Sequence, residues 1–139
     1  MHIASLVLWV VTAVGGLLLL GTWLSRGGLR QQEPKRTRFP VPLIFGQAGL
    51  AALGLALWIV YVFTDNHTIA RAPFGLLAVV VVLGVTMFAR WRGQHKQALG
   101  TRAERPAEDH FPRAVVYGHG VLGAATLAFV LLTAFELVG

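Results

Sequence analysis

The chain has 139 residues, of which 55% are hydrophobic and 13% are charged, whereas about 25% of residues are charged in an ordinary soluble domain. This composition excludes a water-soluble globular domain and indicates an all-α protein embedded in a lipid bilayer. The formal net charge is +6 and cysteine is absent, which excludes disulfides, zinc–thiolate sites and thiol catalysis.

Four long, apolar segments predict four transmembrane helices in a single membrane domain. About 20 apolar residues in a helix cross the hydrocarbon core of a bilayer, which is roughly 30 Å thick. None of the segments has the polar outer face that a helix of a soluble bundle needs. We therefore expect a four-transmembrane-helix bundle. The predicted spans are residues 3–25, 39–64, 72–91 and 113–135, with connections at 26–38, 65–71 and 92–112.

The basic residues predict the orientation of these helices. Only Arg71 lies between spans two and three, and the other eleven basic residues lie in or beside the two long connections. Because basic loops stay in the cytoplasm, we expect both long connections inside, both chain ends outside, and contact between the basic face and anionic lipid. We expect the inner (plasma) membrane of a bacterium and no nucleic-acid partner. The eleven residues are Arg26, Arg30, Lys35, Arg36, Arg38, Arg90, Arg92, Lys96, Arg102, Arg105 and Arg113.

Aromatic residues lie near both ends of the predicted spans. Such rings are typical of the interface between membrane and water, so we expect them at the level of the lipid headgroups. The residues are Trp23, Trp91 and Tyr117 near the cytoplasmic boundary and Trp9, Trp58 and Tyr61 near the outer one.

Spans two and four share a sequence pattern at an offset of 72 residues. Each copy begins with a Phe-Pro pair, whose proline, Pro40 or Pro112, suits the first turn of a helix. An aromatic-glycine-polar triplet follows and ends at Gln47 or His119. Spans one and three align poorly at this offset. We interpret the pattern as a tandem repeat of two helical hairpins that point the same way across the membrane.

Small residues recur at every fourth position of these two spans, so they share one helix face. Such faces allow close packing of helices in lipid, although alanine and glycine are also simply frequent there. We expect spans two and four to pack together at the centre of the bundle, with a further close approach at Gly15, Gly16 and Gly21 of span one. The small-residue faces consist of Ala48, Ala52 and Ala56 in span two and Gly120, Ala124 and Ala128 in span four.

His119 is the main candidate for chemistry, because ionisable groups at membrane depth are costly. Its position is about 10 Å along span four by helical rise. Three roles are open: a structural hydrogen bond, as for the matching polar residue Gln47; a proton or small-substrate site; or ligation of haem b iron. Met87 of span three is the candidate second axial ligand, although methionine in an apolar helix is more often a packing residue.

Four further polar residues lie at the outer ends of the spans and are candidate metal ligands. His2, Asp65, His67 and Glu136 offer imidazole and carboxylate groups of the kind that bind zinc or manganese. Their spacing matches no local metal motif, and polar residues at helix ends usually contact water.

The acidic stretch from Glu108 to His110 precedes span four, and we expect it to cap the start of that helix. The sequence contains no nucleophile elbow, phosphate loop, metalloprotease pair or EF-hand pattern. An enzyme is therefore not the favoured interpretation.

Three classes of function remain. The favoured class is a non-catalytic accessory subunit or assembly factor of a larger membrane complex, which packs on a membrane protein partner or a second copy through its small-residue faces. The first alternative is a b-haem electron-transfer protein that uses His119. The second is a small oligomeric transporter or channel, which is weakened because the apolar spans lack the charged groups that couple ions or line a polar path.

Overall fold

The computed structural model of the chain describes residues 1–32, 37–94 and 105–137. These residues form four long helices and a short 3₁₀ helix, Ala107–His110, and contain no β-strand. All four long helices are apolar and long enough to cross a membrane, as predicted. Lys35, Arg36, Lys96 and Arg102 lie outside the described residues. The helices are α1 (His2–Ser25), α2 (Val41–Thr64), α3 (His67–Gln94) and α4 (Arg113–Ala134).

The helix boundaries follow local backbone chemistry. Pro40 and Pro112 are the N-cap residues of α2 and α4, as expected for prolines at helix starts. Asp65 ends α2 in a left-handed conformation with φ 50°, and the side chain of Asn66 accepts a hydrogen bond from the N–H of Thr68 at 3.0 Å. Helix α3 therefore begins at His67, before the predicted span. The uncharged stretch marks the part suited to hydrocarbon, whereas the helix itself extends beyond it.

The four helices form a ring in which each contacts two neighbours. The most extensive contacts join α2 to α3 and α1 to α4, and smaller ones join α1 to α2 and α3 to α4. In the described residues, no Cα atom of α2 lies within 8 Å of a Cα atom of α4. The expected direct packing of spans two and four is therefore wrong, because these helices lie on a diagonal of the bundle.

Large side chains, rather than small ones, fill the space between the helices. Ala52, Ala56, Gly120, Ala124 and Ala128 are exposed on the surface of the bundle, and Ala48 is half-buried. The small-residue faces of α2 and α4 thus point mainly outward.

Two buried clusters form the interior. The basic-end cluster lies near the two long connections and includes Trp23, Phe39, Ile44, Trp91, Ala107, Phe111 and Val116. The opposite-end cluster includes Trp9, Trp58, Tyr61, Ala70, Leu77, Val80, Val130 and Ala134. The expectation that the tryptophan rings face the headgroups is wrong for all four of them, because each is at most 3% exposed. Their large rings pack between helices, and of the six aromatic residues in question only Tyr117 is largely exposed.

Glu108 joins the two connections at the basic end. Its side chain is fully buried and accepts hydrogen bonds from the Thr37 hydroxyl and the Arg38 N–H, both at 2.7 Å. The Thr37 oxygen in turn accepts a bond from the indole N–H of Trp23 at 3.3 Å, and the Glu108 carbonyl accepts one from Trp91 at 3.1 Å. The predicted capping role is wrong for Glu108, because its carboxylate reaches the other connection instead of the start of α4.

Gln31 forms a second link between the connections. Its amide nitrogen donates to the carbonyl of Arg105 at 3.0 Å, and its amide oxygen accepts from the N–H of Ala107 at 2.8 Å. Because one side chain satisfies both a donor and an acceptor of the facing backbone, it fixes the position of the segment that carries Glu108.

Candidate functional site

His119 is bound to the backbone of the neighbouring helix. Its Nδ1 lies 2.9 Å from the carbonyl oxygen of Thr12 in α1. A carbonyl can only accept, so Nδ1 carries the hydrogen, and in the neutral ring Nε2 is left as an acceptor or metal ligand.

Two glycines of α1 make room for this imidazole. A Cβ atom built on Gly16 would lie 3.0 Å from Cε1 of His119, and one on Gly15 would lie 3.4 Å from Nδ1. The predicted close approach at Gly15 and Gly16 is therefore confirmed. At Gly21 a Cβ atom would meet no described atom within 4 Å, so this glycine makes no close approach inside the chain.

The interface between α1 and α4 contains two further polar contacts. The hydroxyl oxygens of Thr12 and Thr126 are 3.0 Å apart, and those of Ser5 and Thr133 are 3.3 Å apart. Together with His119, these pairs place a row of hydrogen bonds along an otherwise apolar interface. In lipid such bonds help to hold helices together, because the hydrophobic effect does not. The sequence carried the signal, since these are polar residues inside spans one and four, but nothing in it showed which faced which.

Gln47 makes an equivalent bond on the other side of the bundle. Its Nε2 donates to the carbonyl of Val80 in α3 at 3.3 Å, and a Cβ atom on Gly84 would lie 2.7 Å from that nitrogen. Gln47 and His119 therefore bond to different helices rather than to each other, and each reaches a carbonyl four residues before a glycine.

Met87 has different neighbours from His119. It packs, partly buried, against the basic-end cluster, whereas His119 lies against the glycines of α1. The environment of Met87 is that of an apolar packing residue.

The four candidate metal ligands line one pocket at the opposite end of the bundle from the basic connections. His2, Asp65, His67 and Glu136 surround a cavity of about 400 Å³. Nε2 of His67 lies 3.2 Å from a carboxylate oxygen of Glu136. Within residues 1–32, 37–94 and 105–137, however, no three His, Asp or Glu side chains come close enough to share a metal ion. The pocket brings the four residues together without forming a metal centre.

Fold and polar interfaces together define a class, the small all-helical multi-pass membrane protein, since four helices have the length and composition to cross a bilayer. No protein-family model matches the chain, and no curated protein or solved structure is similar to it.

Proposed function

We propose that the protein is a non-catalytic accessory subunit or assembly factor, which packs through the small-residue faces of α2 and α4 against the helices of a membrane protein partner. The observation that carries this proposal is the outward position of those faces. Ala52 and Ala56 of α2 and Gly120, Ala124 and Ala128 of α4 are all exposed.

The glycines on these two helices support the same proposal. A Cβ atom on Gly46, Gly49, Gly118 or Gly120 would meet no described atom within 4 Å. Glycine inside a helix is less favourable than alanine by about 1 kcal/mol. The packing of this chain does not need glycine at these four positions, whereas the close approach of a helix from another molecule does.

The test is the size of the native complex after a small residue is enlarged. Ala124→Leu and Ala52→Leu fill the small-residue faces with side chains that the bundle itself leaves room for. Val121→Leu is the matched control, because Val121 is 69% exposed on α4 and is already large. Blue native electrophoresis of mildly solubilised membranes should show a complex larger than the monomer for the wild type and the control, and its loss in the two other variants.

Two results of this experiment would oppose the proposal. One is a wild-type protein that migrates as a monomer, and the other is an unchanged complex in Ala124→Leu. Coexpression of tagged and untagged chains separates a heteromeric complex from a homo-oligomer, since only a homo-oligomer carries the untagged chain through purification.

A second candidate function is b-haem binding, and the bond from His119 to Thr12 is the observation that favours it. Histidines that ligate metals usually donate their other ring N–H to a carbonyl or carboxylate, as Nδ1 of His119 does. Nε2 is then the atom that would ligate iron. Met87 is a weaker partner, because it already packs against the basic-end cluster.

An absorption spectrum of gently purified protein, oxidised and then reduced, tests the haem proposal. Haem would give a Soret band that His119→Gln abolishes while the interhelical bond is kept. A colourless protein from haem-sufficient cells would overturn it.

The orientation is part of the favoured proposal: both long connections lie in the cytoplasm of a bacterial cell, and both chain ends lie outside. Eleven of the twelve basic residues support this orientation. Arginine side chains near anionic headgroups add to membrane affinity on that side.

We also propose that the chain is a tandem repeat of two hairpins. Two matching aromatic contacts support this. Trp23 meets Phe45 edge-on with ring centroids 6.4 Å apart, and Trp91 meets Tyr117 edge-on at 6.1 Å, both with 76° between the ring planes. Phe45 and Tyr117 are 72 residues apart, but Trp23 and Trp91 are 68 apart. A longer connection in the second copy accounts for the poor alignment of spans one and three at the offset of 72.

The bonds of Gln47 and His119 have the same relationship. Their acceptors, Val80 and Thr12, are 68 residues apart, as are the two glycines beneath them. If the positions are equivalent, the exchanged variant Gln47→His/His119→Gln should unfold within about 1 kcal/mol of the wild type, because each site keeps its donor. A much larger loss of stability would count against the repeat.

A further inference from the structure

The pocket at the end of the bundle opposite the basic connections receives polar groups from every helix or from the residue just after it. Its volume of about 400 Å³ falls within the range of small-molecule sites, roughly 300–1,000 Å³. It is too large for a bare metal ion. The polar lining consists of His2, Tyr61, Asp65, His67, Thr133 and Glu136.

Aromatic packing fixes the floor of this pocket. Tyr61 is 1% exposed, and its ring lies 4.8 Å from that of Trp58, 5.4 Å from His67 and 6.3 Å from His2, measured between centroids. The indole N–H of Trp58 donates to the carbonyl of His2 at 3.3 Å. The site is thus built on a packed part of the core and not on a loop.

One ring nitrogen in the pocket wall lacks a hydrogen-bond partner. Glu136 accepts from Nε2 of His67 at 3.2 Å, so the hydrogen of the neutral imidazole is on Nε2 and Nδ1 is an acceptor. Nδ1 is buried and has no partner among the described residues. A buried acceptor without a donor is costly, and a ligand with N–H groups would satisfy it.

The carboxylates have the matching charge. Asp65 and Glu136 both line the pocket, and they are the described non-glycine residues with positive φ, at 50° and 53°. Such a backbone is disfavoured for residues other than glycine and is found repeatedly at ligand sites. Both groups accept hydrogen bonds and favour a cation.

We propose that this pocket binds the ammonium group of a primary amine. The –NH₃⁺ group supplies three donors, which match Nδ1 of His67 and the carboxylates of Asp65 and Glu136. A primary ammonium is present both in free amines and in the headgroup of phosphatidylethanolamine, and the end of a membrane helix is within reach of either.

The test is calorimetric titration of the full chain in nanodiscs of phosphatidylcholine and phosphatidylglycerol with butylammonium chloride. Saturable binding is expected, together with binding at least about fivefold weaker for Asp65→Asn and Glu136→Gln, since each removes about 1 kcal/mol of interaction at a partly exposed site. Glu33→Gln is the control, because it removes a carboxylate from the connection between α1 and α2 and should leave the affinity unchanged.

Two ligand controls keep the result independent of how the variants fold. Tetramethylammonium has the charge without N–H donors, and 1-pentanol has the chain without the charge. Equal binding of either one, or no binding of butylammonium at concentrations up to about 10 mM, where the interaction energy falls below roughly 3 kcal/mol, would overturn the proposal. Nanodiscs with phosphatidylethanolamine distinguish the sources: weaker apparent binding of butylammonium identifies the headgroup as the ligand, and unchanged binding identifies the free amine.

Discussion

Nδ1 of His119 lies 2.9 Å from the carbonyl oxygen of Thr12, so the one histidine inside a span is joined to the backbone of the neighbouring helix. Gly15 and Gly16 allow this approach, since larger residues there would press on the imidazole. The side chain that stands out as a chemical candidate in the sequence therefore has a structural role. Any ligand of His119 would have to use Nε2.

Replacement of His119 should separate the structural role from the chemical one. His119→Leu removes the bond to Thr12 and should lower the free energy of unfolding by about 1 kcal/mol, as for a neutral hydrogen bond. His119→Gln keeps an N–H donor, as Gln47 does on α3, and should lose less than half of that. Unfolding in mixed micelles of dodecyl maltoside and SDS measures both. Equal stability of His119→Leu and the wild type would show that the bond contributes nothing.

Glu108 should be the most important charged residue for stability at the basic end. Glu108→Ala leaves the buried Thr37 hydroxyl and the Arg38 N–H without their acceptor, which should cost about 3 kcal/mol. Glu136→Ala is the control, because Glu136 is 69% exposed in its pair with His67 and such pairs contribute under about 1 kcal/mol. The same unfolding assay compares them, and a reversed order of the two losses would contradict the assigned network.

Gly28 should tolerate no side chain. A Cβ atom there would overlap the indole ring of Trp23, which is fully buried, so Gly28→Ala should destabilise the fold by about 2–3 kcal/mol through overpacking. Gly21→Ala adds a methyl group where no described atom lies within 4 Å, and it should be neutral or stabilise helix α1 by up to about 1 kcal/mol. If Gly28→Ala unfolds like Gly21→Ala, the packing of Trp23 differs from that described.

Orientation can be measured directly because the chain has no cysteine. Thr64→Cys and Leu29→Cys place single thiols at exposed positions near opposite ends of the bundle. In intact cells a membrane-impermeant maleimide should label Thr64→Cys at once and Leu29→Cys only after permeabilisation. The opposite labelling pattern would reverse the proposed orientation.

The sequence predicts the number and type of the helices well, because length and apolar composition suffice to recognise a membrane span. It also predicts the helix starts at Pro40 and Pro112, where the missing N–H of proline is harmless. The approach at Gly15 and Gly16 is predicted as well. All these features depend on residues close together in the chain.

The pairing of the helices and the core could not be read in the same way. In a membrane both the interior and the outer surface of the bundle are apolar, so hydrophobicity does not distinguish the buried face of α2, with Trp58, from the exposed one, with Ala52. Glu108 has the same difficulty. Its position before α4 is typical of a cap, and its partner Thr37 lies in the other connection.

The central claim is that the outward small-residue faces bind a membrane protein partner, and cross-linking of single cysteines in native membranes tests it most directly. Ala124→Cys introduces a thiol on the small-residue face of α4, and Val82→Cys introduces one on α3, where Val82 is 65% exposed. We predict a specific cross-linked product with Ala124→Cys and none with Val82→Cys. Absence of any product from Ala124→Cys, or equal products from both positions, would contradict the proposed function.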